Sequence, residues 1–402
     1  MERVDTIILG GGLVGLTTAL ALDAHGLSSV VIDPAPPATT LARGFDGRAS
    51  AIASASWRML DAIGVAEALR PFGCPIRRIE VRDGLQATPL DFTPDASDEP
   101  LGTMVENRIL RQTLHAAAEK AENITLKIPA RAVTVDRSAT GVTVTLEDDS
   151  VIRGDVLIAA EGRNSPTRED AGIRVARWQY DHAAIISAFD HSLPHNNVAH
   201  EIFYPDGPFA LLPMQPGTRS ALVWSVKAAD AAGVLALSNH AFAHEAAKRA
   251  GGLLGELSAA APRSTYPLGF HHAAQITGTR LALVGDAAHG IHPIAGQGLN
   301  LGFRDVAALV EVLVEGARTG IDLGDAMLLE RYQRWRSLDT LSVATATDTL
   351  TRLFGIPGKT ARRVRRFGIG AVQKIPPLKA FFMAEARGET GKLPKLLTGT
   401  SV

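Results

Sequence analysis

Short, wholly apolar runs alternate with amphipathic ones along this chain, and the first change of pattern comes at once. Asp5 to Leu9 reads as a buried strand that runs into Gly10-Gly11-Gly12-Leu13-Val14-Gly15 and then into an Ala/Leu-rich helix. Val30 to Ile32 is the next strand and ends at Asp33. The pattern then predicts a helix over Arg111 to Glu122, strands at Ala132 to Asp136 and Val142 to Leu146, and an apolar strand from Asp155 that closes on Glu161-Gly162. Between 176 and 270 the runs Ala183 to Phe189, Phe209 to Leu212 and Ser220 to Val226, separated by Pro and Gly, predict an antiparallel sheet. A short buried strand, Arg280 to Val284, and a helix from Asn300 to Val314 follow.

The opening unit meets the G-x-G-x-x-G fingerprint in its required strand-to-helix context. Gly10 permits the tight turn, Gly12 lets a pyrophosphate reach the backbone at the helix N-terminus, and Gly15 lets helix and strand pack closely. Asp33 follows Gly10 by 23 residues, the place for a carboxylate that accepts from a ribose 2′-hydroxyl. The fingerprint predicts an adenine dinucleotide without choosing between FAD and NAD.

The stretch Gly285 to Gly302 makes that choice. It sets Asp286 at a strand end, then Pro293, Gly296 and Gly298 in a loop, then the start of a helix. Residues without a Cβ let backbone lie against a flat ring, unpaired helix N–H groups suit its partly negative edge, and a carboxylate accepts from a sugar-like chain. That is the chemistry of a flavin cradle. The two motifs stand far apart in sequence, so something is inserted between them.

Composition changes the picture only by exclusion. The net charge of −1 and the lack of an interleaved basic and aromatic pattern point away from nucleic acid. The single cysteine, Cys74, rules out an internal disulfide and a Cys-rich metal site. Strand pattern starts so early that no signal peptide is expected, and no apolar run has the length and freedom from charge of a membrane span, so the expected compartment is the cytoplasm. No metal is expected: His289, His292 and the pair His271-His272 lack H-E-x-x-H or two-His-one-carboxylate spacing. Nor is there a G-x-S-x-G nucleophile.

Three ordered segments, the glycine fingerprint, Glu161 to Arg168 (EGRNSPTR) and Gly285 to His289 (GDAAH), together resemble the class A flavoprotein aromatic hydroxylases, with the fold of p-hydroxybenzoate hydroxylase. Glu106 to Leu114, Phe203 to Pro213 and His292 to Asp305 are similar to the ubiquinone-biosynthesis hydroxylases within that class. The resemblance covers nearly the whole chain. It implies an α/β architecture: a discontinuous Rossmann-like FAD-binding domain (1–75, 98–175 and 271–340), an inserted antiparallel-sheet substrate domain (76–97 and 176–270) and a C-terminal helical, basic amphipathic tail (341–402).

Residue by residue, the resemblance implies Gly10, Gly12, Leu13, Gly15 and Asp33 for the ADP half of FAD, with Gly285 and Asp286 at its ribityl chain. Pro293, Gly298, Leu299 and Asn300 would border the isoalloxazine, Arg48 would lie beside it, and Asn107 would hold the cofactor. Gly162 belongs to the middle motif, where Glu161 replaces the commoner aspartate and Arg168 would support phosphates. The implied chemistry is hydroxylation of a polyprenylated phenol or quinol, using NAD(P)H and O2 through a flavin C4a-hydroperoxide. Arg48, Pro293, His289 and His292 are the side chains to test for a catalytic part, and Phe203, Tyr204, Phe209 and Leu212 form the expected substrate wall. The alternatives are a hydroxylase of small aromatic acids, which calls for a cationic anchor, and a flavin-bound accessory protein without turnover. From Lys359 onward ten Lys or Arg face two Asp or Glu, interleaved with Phe367, Phe381 and Phe382. Such a tail either meets an anionic membrane surface or caps the core, and the resemblance adds a ubiquinone-biosynthesis complex as a further partner.

Overall fold

The computed structural model describes residues 2–42, 44–85, 89–290, 297–337 and 375–402. Its first sheet has a parallel centre in the order β19 (Leu281–Leu283), β11 (Val151–Ala159), β1 (Glu2–Leu9), β2 (Ser29–Ile32) and β8 (Ile124–Lys127). Strand β18 (Thr277–Gly278) edges it, and β10 (Gly141–Leu146) with β9 (Ala132–Ser138) extends antiparallel from β11. Strands sandwiched on both faces need continuous apolar sequence, and Ile7, Ile8, Val30, Val31, Leu157 and Ile158 supply it with no exposed surface.

The helices are α1 (Leu13–Asp23), α2 (Pro37–Thr40), α3 (Ser54–Ala62), α4 (Ala66–Leu69), α5 (Asn107–Ala118), α6 (Pro166–Asp170), α7 (Ala231–Ala236), α8 (Asn239–Ala250), α9 (Gln297–Arg318) and α10 (Pro376–Arg387). Helix α1 packs against α5 and α9. Helix α9 is buried all round from Phe303 to Val314, mostly by apolar residues, with Arg304, Asp305 and Glu311 as the charged exceptions. Helix α5 starts at Asn107 and stops at Ala118, earlier at both ends than the periodicity predicts; it starts early because β7 (Gly102–Glu106) passes into it without a turn and Asn107 N–H is bonded to Arg48 O.

A second sheet runs β20 (His289–Gly290), β17 (Ser264–Ala273), β12 (Val175–His191), β15 (Arg219–Lys227), β14 (Gly207–Met214), β13 (Val198–Tyr204), β5 (Arg78–Asp83), β6 (Leu90–Phe92), with β16 (Leu257–Ala259) beside β12. It is antiparallel except where β13 runs parallel to β5. One face carries Ile185, Ile202, Phe209, Leu211, Leu222 and Trp224 against α8. The Ala-rich segment that forms α7 and α8 lies inside the stretch predicted as sheet alone. Helix α8 is nonetheless well signalled, with Ser238 Oγ accepting from Ala241 N and Gly251 in the left-handed conformation at its end. The opposite face meets a third, unpredicted sheet, β3 (Ala49–Ala53), β7 (Gly102–Glu106) and β4 (Cys74–Ile76), through Ala199, Met214, Ala221, Cys74 and Met104.

Residues 388–402 fold onto the first layer rather than away from it. Leu396 and Leu397 are wholly buried in the main core, Arg58 Nε donates to Leu397 O, and Arg318 donates to Val402 O. The last stretch of the tail is thus a core cap, whereas the basic run Arg362 to Arg366 and Phe367 lie outside the described residues. Leu397→Ala is expected to cost about 2–5 kcal/mol in chemical denaturation, the usual range for emptying a buried leucine site.

Candidate active site

The functional loops converge because four neighbouring parallel strands end on one side of one sheet. Chain leaving β1 forms Gly10 to Gly12, chain leaving β2 carries Asp33, chain leaving β11 carries Glu161 and Gly162, and chain leaving β19 carries Gly285 and Asp286. Ligands of open parallel sheets bind in this crevice, outside the carboxyl ends of the strands.

At Gly10, φ is +107°, and a Cβ there or at Gly15 would collide with backbone carbonyl oxygen. Gly12 is different: its backbone is ordinary extended chain, and a Cβ would meet nothing within 4 Å. Gly12 also starts α1 without a side-chain cap, so the first N–H groups of that helix are available to an anion. Glycine at this position preserves space and donors, the fit a pyrophosphate requires. Asp33 anchors the loop, accepting from Gly11 N and Ala35 N at 2.7 Å each, and remains half exposed toward the crevice.

The carboxylate of Asp286 is exposed while the chain around it is buried. That chain is pinned from behind by Asp305 on α9, a fully buried residue. Asp305 accepts from Gly285 N at 2.9 Å and from Arg336 Nε at 2.7 Å, and lies 2.7 Å from His289 Nε2. Burial works to raise its carboxyl, but His289 and Arg336 hold it below the ordinary carboxylate value. The Tyr332 hydroxyl donates to Leu283 O on the same strand end, and His271 Nε2 donates to Asp286 O at 2.8 Å. Burial lowers the His271 pKa, which favours that neutral, positioning role. His289 is therefore a strut of the loop in this geometry. His292 and Pro293 lie outside the described residues.

Helix α9 opens the other wall. A Cβ at Gly298 would meet nothing within 4 Å, the same signature as at Gly12. Asn300 is buried and ties this helix start to β3, its side chain accepting from Ala53 N and donating to Ala51 O at 2.8 Å each. The residues present therefore fit a flavin dinucleotide: two glycine-lined hollows, an uncapped helix start and two carboxylates placed for its hydroxyls.

Other predicted residues have different work. Arg168 is fully buried and donates to Ala287 O and Arg163 O, so it locks the middle motif onto the Gly285 loop instead of reaching a phosphate. Glu161 accepts from Ser165 Oγ and Thr167 N, bracing the start of α6. Gly162, with φ +79°, turns the chain between them. Arg48 is half exposed and folded onto Asp46, with contacts of 2.5 and 2.8 Å, while Asn107 accepts from Ser50 Oγ at 2.6 Å. Both stand at β3, the strand to which Asn300 is tied.

The expected substrate wall divides between two faces. Phe209 packs against Trp224 and Phe242, and Tyr204 donates to Arg249 O, so both belong to the α8 side and not to a cavity facing the flavin loops. Strand alternation puts Phe203 and Leu212 on the opposite face, where Leu212 lies against the β3 and β7 side. Glu201 shares that face, two residues before Phe203. No pattern search for apolar walls would have singled it out, nor Asp305, whose partners are distant in sequence.

Among the described residues no His/Cys/Asp/Glu cluster is suited to a metal ion, and no helix is long and apolar enough to cross a membrane. The FAD binding domain family matches residues 3–345. The chain is 44% identical over 399 residues to the ubiquinone hydroxylase UbiL of Rhodospirillum rubrum, covering 98% of this chain and 92% of that one. It is 35% identical to the 3-demethoxyubiquinol 3-hydroxylase of Escherichia coli, covering 96% and 99% respectively. The crystal structure of p-nitrophenol 4-monooxygenase PnpA from Pseudomonas putida has the same fold, with a TM-score of 0.79 at 17% identity over 98% of this chain and all of that one. The chain therefore belongs to the FAD binding domain family, in its ubiquinone-hydroxylase branch.

Proposed function

We propose that this protein is an FAD-dependent monooxygenase that hydroxylates the ring of a prenylated phenol or quinol in ubiquinone synthesis, using NAD(P)H and O2. The observation that carries the reading is the convergence of the Gly10, Asp33 and Gly285–Asp286 loops at one sheet edge, with Gly12 and Gly298 leaving room on either side. Bound FAD supplies the activation of O2 and delivers the oxygen atom. The chain's own residues orient and exclude water. The first turn of α1 binds the pyrophosphate, Asp33 and Asp286 hold hydroxyl groups, and the Asp305 strut fixes the loop that carries Asp286. The second sheet offers Phe203, Leu212, Val81 and Val223 as an apolar wall that keeps the reacting ring dry.

A small aromatic acid would need a free cationic anchor on that wall, yet the arginine of that face, Arg219, is paired with Asp190, and the carboxylate in the middle of the wall is Glu201. A neutral phenol fits better. Its prenyl chain would leave toward α10, where Phe381 and Ile375 are exposed while Phe382 and Met383 pack on the core. We assign α10 to contact with a lipid surface, with the tail beyond it capping the core.

Given a prenylated phenol, isotopically labelled O2 and NADH or NADPH, the FAD-loaded protein is expected to yield a product carrying one labelled oxygen; reduced nucleotide oxidation that ignores the phenol contradicts the reading. Gly12→Val points a side chain into open space, so stability should stay within about 0.5 kcal/mol while FAD affinity falls at least roughly tenfold, read by flavin fluorescence. Phe381→Asp is expected to lower cosedimentation with anionic vesicles without changing FAD content, and equal partition of both forms removes the lipid contact.

A further inference from the structure

Strand β13 places a carboxylate where its alternation calls for an apolar side chain. In Val198–Tyr204 the residues His200, Ile202 and Tyr204 point toward the α8 side, and Ala199, Glu201 and Phe203 point to the face that meets β3 and β7. Glu201 stands beside Ala210 on β14 and Val81 on β5, and the next row holds Leu212 and Ala199. The residues around it on that face, Ala199, Ala210 and Ala221, are small. The Glu201 side chain is surrounded by protein yet keeps some accessible surface. Among the described residues it has no hydrogen-bond or ion-pair partner. An isolated carboxylate in apolar surroundings is costly, and a fold retains one where it meets a ligand.

We infer that Glu201 touches the ring hydroxyl of the bound phenol and accepts its proton, acting as the general base that makes the ring electron-rich for oxygen transfer. The inference rests on the phenol hydroxylation proposed above. The phenolic O–H bond breaks, an O–H bond forms on a Glu201 oxygen, and the electron pair stays on the phenolate. The proton returns to the product's oxygen on release. A neutral, prenylated substrate carries no charge of its own, so a single unpaired acceptor on an apolar wall is sufficient to orient it.

Burial alone raises the Glu201 carboxyl to about 7, which leaves both protonation states populated near neutrality. The titratable and charged groups on this side are Asp83 on β5, the Arg219–Asp190 pair of β15 and β12, Asp46 and Arg48 before β3, Cys74 on β4, Glu106 on β7 and Arg387 on α10. None of them adds to the shift. The sign follows: the base is present above a pH of about 7 and is lost as pH falls.

The test uses the full-length FAD-loaded protein, with 2-farnesylphenol as probe. In wild type, kcat/KM for hydroxylation should fall on the acid side of neutrality. Glu201→Gln should lower it by about 10²-fold and abolish that acid limb with FAD content unchanged, while Glu201→Asp restores part of the rate and the limb. A Gln variant that keeps both the rate and the limb overturns the inference. Equilibrium binding provides a readout independent of turnover. The ultraviolet difference spectrum of the bound probe should show the red shift of a phenol hydrogen-bonded to a carboxylate with wild type, growing as pH rises through about 7, and lose it with Glu201→Gln, and identical spectra with the two proteins overturn the inference. Absence of hydroxylation together with a Glu201-dependent red shift would overturn the proposed oxygenation instead.

Discussion

Asp305 is a full negative charge inside the main core, and the flavin loop is held in place by what that charge attracts. Arg336, His289 and the Gly285 N–H approach it from three segments of chain, so α9, the helical residues 326–337, β19 and β20 meet at one carboxylate. Removing one partner of a buried pair strands the other and costs about 3–5 kcal/mol. The strut therefore ties the position of Asp286 to the integrity of the core. Gly302 brings α9 close enough for this, since a Cβ there would press on Val14 and on Gly285 Cα.

Around that strut the molecule separates two tasks. The parallel sheet presents backbone donors and carboxylates to a polar, charged dinucleotide, which suits strand ends and helix starts. The second sheet carries the face proposed to meet the aromatic ring, and its other face packs against α7 and α8. The two meet where β20 pairs with β17 and where Asn300 joins α9 to β3. Arg168 adds a third tie, between the middle motif and Ala287 O. The cofactor loops and the second and third sheets are thus held in register by hydrogen bonds from buried side chains.

Much of this was legible in the sequence because the dinucleotide site is local. Strand, glycines, helix and Asp33 follow one another within one βαβ unit, and each residue is required for a reason visible at its own position. The GDAAH loop is legible for the same reason. Roles that depend on distant partners were not. Arg168 looked like a phosphate ligand because nothing nearby in sequence announces that Ala287 O will take its guanidinium. Tyr204 and Phe209 looked like substrate wall because alternation defines two faces without saying which one α8 will cover. Nothing local in the sequence singles out Glu201 or Asp305, since burial is what makes each of them informative.

The most direct test of the account is the affinity of apoprotein for FAD in Asp305→Asn, followed by flavin fluorescence at a temperature where circular dichroism shows both proteins folded. The account predicts that wild type binds one FAD per chain and that the variant binds it at least roughly tenfold more weakly, because the loop carrying Asp286 loses its anchor. Equal affinity in the two proteins would contradict it.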